Sequence, residues 1–114
     1  VLLHTVSTYP AKDSELDLQV INTLRERYGL PVGYSGHESS VSPSVMAAMM
    51  GAVVIERHIT LDRAMYGSDQ AASLELTGLL SMVAMIRKIP ECMGGADKRV
   101  SAGEHAVAKK LRYW

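Results

Sequence analysis

Two short stretches of this sequence each place a histidine two residues after an oxygen-bearing side chain: Ser35-Gly36-His37 and Glu56-Arg57-His58. If each stretch ends a β-strand, alternate residues face the same side, so Ser35 projects with His37 and Glu56 with His58, while Arg57 faces the other way. Strands one crossover apart can be neighbours at about 4.8 Å, a separation that lets His37 and His58 converge on one ion. Two imidazoles with a nearby carboxylate suit a divalent metal that keeps positions open for water or substrate. The same spacing also fits two histidines that are simply hydrogen-bonded in a polar rim, because short motifs match by chance. Glu56 directly follows the apolar run Ala52-Val53-Val54-Ile55, where a buried carboxylate is costly unless paired. An ion pair with a neighbouring strand and a role in a site are both open for it. By the same alternation Thr5, Ser7 and Tyr9 share a face, with hydroxyls able to meet a phosphate, a sugar or only water. His4 falls on the opposite face and reads as a packing residue. His105, in a charged tail, reads as solvated, and Cys92, with no partner base nearby, as inert. The methionines Met46, Met49, Met50, Met82, Met85 and Met93 read as packing residues.

These side chains need strands to aim them. Val1 to Ser7 is rich in β-branched residues and runs into Thr8-Tyr9-Pro10, which predicts a strand closed by a proline turn. From Ser14 the period changes, with Leu18, Ile21, Leu24 and Tyr28 recurring every three or four residues as in an amphipathic helix. Asp13 or Ser14 is the expected cap, and Gly29 followed by Pro31 the expected stop. Pro31 to Ser35 predicts a second strand leading into the polar loop Gly36 to Ser40. A second helix is expected at Pro43, capped by Ser42 and ending at Gly51. Ala52 to Ile55 is an unbroken apolar run, the pattern of a parallel strand covered on both faces, and we extend it through His58. A polar loop from Thr60 to Ser73 precedes a third striped helix carrying Leu79, Leu80, Val83 and Ile86, which Pro90 should end or kink. After Gly94-Gly95, a pair with no phosphate-loop pattern around it, the tail shows no clear period and reads as a surface linker. The order strand-helix repeated three times predicts an α/β fold with a parallel sheet, either open or an arc of a barrel. In both cases ligands gather at the C-terminal ends of the strands, where the residues singled out above lie.

Composition narrows the function classes. The 114 residues carry 12 basic and 12 acidic side chains, which leaves no basic surplus for nucleic acid or an anionic membrane. The apolar run from Val45 stops at Glu56, well short of the roughly 20 residues of a bilayer span. One cysteine permits neither an internal disulfide nor a thiolate metal cluster, so a cytoplasmic protein is expected. The chain opens in mid-hydrophobic run at Val1, which reads as a piece of something longer.

Four ordered motifs carry a resemblance. Thr5-Val6-Ser7-Thr8-Tyr9-Pro10, Gly33-Tyr34-Ser35-Gly36-His37-Glu38, Val54-Ile55-Glu56-Arg57-His58-Ile59-Thr60-Leu61-Asp62 and Gly67-Ser68-Asp69-Gln70-Ala71-Ala72-Ser73-Leu74-Glu75 resemble the sialic acid synthase family, including its legionaminic and pseudaminic acid synthases and spore-coat polysaccharide enzymes. Gly36, where many bacterial members carry Asp, looks most like the N-acetylneuraminate synthase branch that includes the animal enzymes. The resemblance implies that residues 1–93 are the last three units of a (β/α)₈ TIM barrel, with 94–114 a tail or linker toward a further C-terminal domain. It implies condensation of phosphoenolpyruvate with N-acetylmannosamine, or its 6-phosphate, to sialic acid and phosphate. A manganese or magnesium ion would be held by residues matching His37 and His58. Ser35 and Ser7 match contacts to phosphoenolpyruvate, Ser7 where many members have Asn. Tyr9 and Asp69 match sugar-binding positions, and Glu56 an active-site carboxylate. The family's lysines and early catalytic carboxylate belong to strands that precede these, and its usual Pro is replaced by Leu76. Three open strands imply a homodimer, a higher assembly or packing against further sequence. Two other readings are a non-catalytic sub-barrel that at most binds metal or self-associates, and a two-histidine metal hydrolase.

Overall fold

The three stretches read as strands pair in parallel, as expected. The computed structural model describes residues 1–112, and its strands are β1 (Leu2–Thr5), β2 (Val32–Gly36) and β3 (Ile55–Arg57). They form one parallel sheet in the order β1-β2-β3. The helices are α1 (Val20–Tyr28), α2 (Ser42–Met49), α3 (Leu76–Met93) and α4 (Ala102–Leu111). In register, Leu2 lies beside Val32, His4 beside Tyr34 and Tyr34 beside Ile55. These even-face residues receive both crossover helices: Ile21 of α1 and Ala47 of α2 join Val32 and Tyr34 in one buried cluster, flanked by Leu2, Leu18, Leu24, Ala52 and Ile55. Both helices therefore cover one face of the sheet. The opposite face carries Leu3, Thr5, Gly33, Ser35 and Glu56. A Cβ on Gly33 would meet Leu3 Cδ2 at 2.6 Å and the Val54 carbonyl at 2.7 Å, so only glycine lets those neighbours close over β2.

Several boundaries differ from the sequence expectation for local reasons. The strand predicted through Ser7 ends at Thr5. Helix α1 begins at Val20 rather than Ser14, because Asp13–Glu15 forms a separate 3₁₀ turn and Asp17 takes a positive φ of 43°, a conformation no α-helix continues through. Gly29 does end α1, at φ 61°, the left-handed cap that glycine adopts without a Cβ clash. In α2, Ser42 is the first helical residue and Val41 the cap. The strand predicted over Ala52 to His58 is regular only from Ile55 to Arg57. Val53 and Val54 are exposed rather than covered on both faces, since both crossover helices pack on one face of the sheet and, among the described residues, β3 has β2 on one side only. Helix α3 runs on through Pro90 to Met93. It starts at Leu76 with Gly78 inside its first turn, and no side chain caps it.

The methionine expectation is corrected in part. Met82 is buried, but Met46, Met49, Met85 and Met93 are exposed, because they lie on sides of α2 and α3 that no other described residue covers. His4 packs as expected, its Nε2 donating to the Leu16 carbonyl at 2.6 Å. The tail read as aperiodic contains α4. Ser101 accepts from the Glu104 amide while the Glu104 side chain accepts from the Ser101 amide, the reciprocal pair of a capping box. Those bonds hold the Glu104 carboxyl below the usual range. No helix among the described residues is long and apolar enough to cross a membrane.

Candidate active site at the strand ends

Thr5, Ser35 and Glu56 stand side by side in register at the C-terminal ends of β1, β2 and β3. The Ser35 hydroxyl donates to Glu56 Oε1 at 2.7 Å. Glu56 is exposed, so the predicted buried carboxylate in need of an ion-pair partner is not what forms here; it has a hydroxyl partner and water. One step further along each strand come the histidines. The His37 and His58 ring centroids are 5.2 Å apart, so the two rings lie close together. Tyr9 closes the cluster, its ring centroid 4.3 Å from His37 and 5.7 Å from His58.

The His37 ring is oriented from behind. Its Nδ1 lies 2.8 Å from the Val6 carbonyl and 3.4 Å from Thr5 Oγ1. A carbonyl can only accept, so Nδ1 carries the proton and the lone pair is left on Nε2. This is the arrangement by which metal-binding histidines are fixed in one tautomer. The loop after β1 is tied down by the Ala11 amide, which donates to the His37 carbonyl at 2.9 Å. Asp69 arrives from a different direction. The Leu74 amide donates to the His58 carbonyl at 2.8 Å and the Thr60 amide to the Leu74 carbonyl at 2.9 Å, folding the 60–73 loop back onto the end of β3. Asp69 Oδ2 then stands 3.9 Å from His58 Nδ1. Ser7 lies two residues past β1, exposed, with no side-chain hydrogen bond among the described residues. Of the predicted residues, the structure thus groups the rings of Tyr9, His37 and His58, brings Asp69 beside His58, joins Ser35 to Glu56, and leaves Ser7 exposed.

Sequence reasoning missed the group behind the site. Arg57 does face the other way, as alternation requires, and there it meets Glu38, which is fully buried. Arg57 Nη1 is 3.2 Å from Glu38 Oε1; Tyr34 donates to Glu38 Oε2 at 2.9 Å and Ser44 to Oε1 at 3.1 Å. Burial pulls the Arg57 guanidinium below its ordinary value, against the opposing pull of the Glu38 carboxylate. Burial first, and then that carboxylate, push the Tyr34 phenol well above its usual range. The signal was available: Tyr34 and Gly36 of β2 share one parity with Glu38 just beyond it, and Arg57 on β3 is registered with Gly36. Gly36 makes room for the pair, because a Cβ there would meet Glu38 Oε2 at 2.6 Å and Arg57 Cδ at 2.9 Å. Gly36→Ala is therefore expected to destabilise the protein by about 1–3 kcal/mol through overpacking, read from the midpoint of urea unfolding; an unchanged midpoint would mean the pair relaxes freely.

No group of three or more His, Cys, Asp and Glu side chains among the described residues is arranged to hold a metal ion. The donor set is two imidazoles, so an ion bound there takes its remaining positions from water or substrate. His37, with its lone pair on Nε2 and its other nitrogen anchored, fits that role.

Residues 1–98 match the NeuB family. The chain is 39% identical over 110 residues to the N-acetylneuraminate-9-phosphate synthase of Homo sapiens, covering 96% of this chain and 31% of that protein. It is 41% identical over 103 residues to the N,N'-diacetyllegionaminic acid synthase of Campylobacter jejuni, over 90% of this chain and 31% of that protein. Among solved structures, the N-acetylneuraminic acid synthetase of Leptospira borgpetersenii, in complex with citrate, superposes with a TM-score of 0.77 at 33% identity, covering 99% of this chain and 41% of that one. The chain thus spans about a third of the curated relatives it matches.

Proposed function

The chain belongs to the NeuB family, and from that premise we propose that it forms the metal-holding arc of a (β/α)₈ barrel that condenses phosphoenolpyruvate with N-acetylmannosamine, or its 6-phosphate, to sialic acid and phosphate. The observation that carries this reading is the close approach of His37, His58 and Tyr9 past the C-terminal ends of adjacent parallel strands, with Asp69 beside His58, where barrel enzymes place their chemistry. The exposed Val53, Val54, Met46 and Met49 support a fold in which further barrel units or a partner subunit of a homodimer or higher assembly cover them. The balanced charge and lone cysteine support a cytoplasmic setting.

His37 and His58 would hold a divalent ion, which when bound would supply Lewis-acid polarisation of the sugar's open-chain aldehyde. His37 presents Nε2 because its Nδ1–H is engaged by Val6. Asp69 can accept hydrogen bonds from sugar hydroxyls, and the Tyr9 ring walls the same space. Ser35 donates to Glu56 in the free site; turned toward a phosphate it would release Glu56 Oε1. The freed carboxylate is then placed to orient water or move a proton during the addition that completes the reaction. Ser7 at the rim would contribute a hydroxyl to phosphate.

Two imidazoles favour manganese over magnesium, which prefers oxygen ligands and gives up its water reluctantly. In the intact protein, phosphate release from phosphoenolpyruvate should depend on N-acetylmannosamine or its 6-phosphate and be restored after chelation more fully by Mn²⁺ than by Mg²⁺. Phosphate release with neither sugar present, or no turnover with both, contradicts the proposal.

A further inference from the structure

Arg57 and Glu38 lie on the helix face of the sheet, away from the candidate site, yet each is the immediate chain neighbour of one candidate metal ligand. Glu38 follows His37, and Arg57 precedes His58. The Arg57 side chain grips the β2–α2 connection along its length. Its Nη1 donates to the Ser40 carbonyl at 2.9 Å, to Ser44 Oγ at 3.1 Å and to Glu38 Oε1 at 3.2 Å, and its Nη2 donates to the Glu38 carbonyl. Glu38 in turn is held by Tyr34 of β2 and Ser44 of α2. Both side chains are essentially inaccessible, at 2% and 0% exposure. Regular pairing between the two strands ends before the histidines: the last registered pair is Gly36 with Arg57. Past that pair, the guanidinium fork holds the two strand ends together.

We infer that Arg57 and Glu38 are positioning residues that set the separation of His37 and His58 through the backbone, and so tune the affinity of the two-histidine site for a divalent ion. A planar fork can bond a carboxylate, a hydroxyl and two carbonyls at once; an ammonium cannot match that geometry. Arg57→Lys therefore keeps the charge opposite Glu38 and loses the clamp. This inference rests on the metal-binding reading above.

The test is Mn²⁺ titration of the intact protein, followed by the EPR signal of free ion, for wild type, Arg57→Lys and Ser44→Ala, beside thermal unfolding of each in chelator. At a temperature well below its own unfolding midpoint, Arg57→Lys should bind Mn²⁺ about tenfold more weakly, the scale seen when a group behind a metal ligand is lost. Ser44→Ala, which removes one bond to each partner of the pair, should weaken binding by a smaller factor. A purely structural role would lower the midpoints and leave Mn²⁺ affinity unchanged, and that result overturns the clamp. If Arg57→Lys does not fold, Ser44→Ala decides alone, since wild-type affinity in it overturns the inference. Failure of wild type to bind Mn²⁺ at all instead overturns the metal-binding reading itself.

Discussion

Replacing His37 and His58 together by alanine is expected to weaken Mn²⁺ binding by more than about a hundredfold, since loss of even an outer partner costs 10- to 100-fold, and to reduce condensation to background. The effect should be this large because the described residues offer no third strong ligand to compensate. Stability should change far less. His58 is partly exposed, and His37, though buried, makes its hydrogen bonds past a strand end, to Val6 and Thr5, away from the apolar cluster around Ile21 and Tyr34. Titration by EPR alongside a phosphate-release assay separates the two effects; wild-type affinity in the double variant would remove these histidines from metal binding.

Glu38→Ala should be the most damaging single substitution for stability. It strips the carboxylate from a guanidinium that is 2% exposed and that burial already pulls below its ordinary pKa. Breaking a buried pair from one side costs about 3–5 kcal/mol, a large part of the 5–15 kcal/mol by which domains are typically stable. The cost comes from the stranded charge rather than from the lost bond, so a second variant should recover much of it. Glu38→Leu combined with Arg57→Met removes both charges and fills similar volume, and such replacements are often neutral. Urea unfolding midpoints measure both variants. A double variant as unstable as Glu38→Ala would assign the loss to packing and to the bonds from Tyr34 and Ser44.

The parts of the site governed by strand alternation were legible in the sequence: the pairing of Ser35 with His37 and of Glu56 with His58, the approach of the two histidines, and the outward turn of Arg57. Asp69 was not legible from spacing, because it is delivered by a loop whose return is set by backbone bonds between His58, Thr60 and Leu74; only the motif resemblance pointed to it. Glu38 was not legible as a buried group, because the apolar run points instead to the carboxylate that follows it, Glu56, which is exposed. The buried one lies in a loop that looked polar. In the fold, Asp13 and Ser14 look like helix caps but form a 3₁₀ turn, and Asp17 then breaks the chain direction before α1. Helix α4 was missed although Ser101 and Glu104 have the capping-box spacing, because the residues after them show no apolar stripe of the kind that marks a packed helix.

The most direct test of the account is the electron–nuclear hyperfine spectrum of Mn²⁺ bound to the intact protein, with histidine labelled by ¹⁵N. The account predicts couplings from two directly bound imidazole nitrogens, one lost in His37→Ala and the other in His58→Ala. A spectrum showing only oxygen ligands, unchanged by either substitution while sialic acid is still formed, would contradict it.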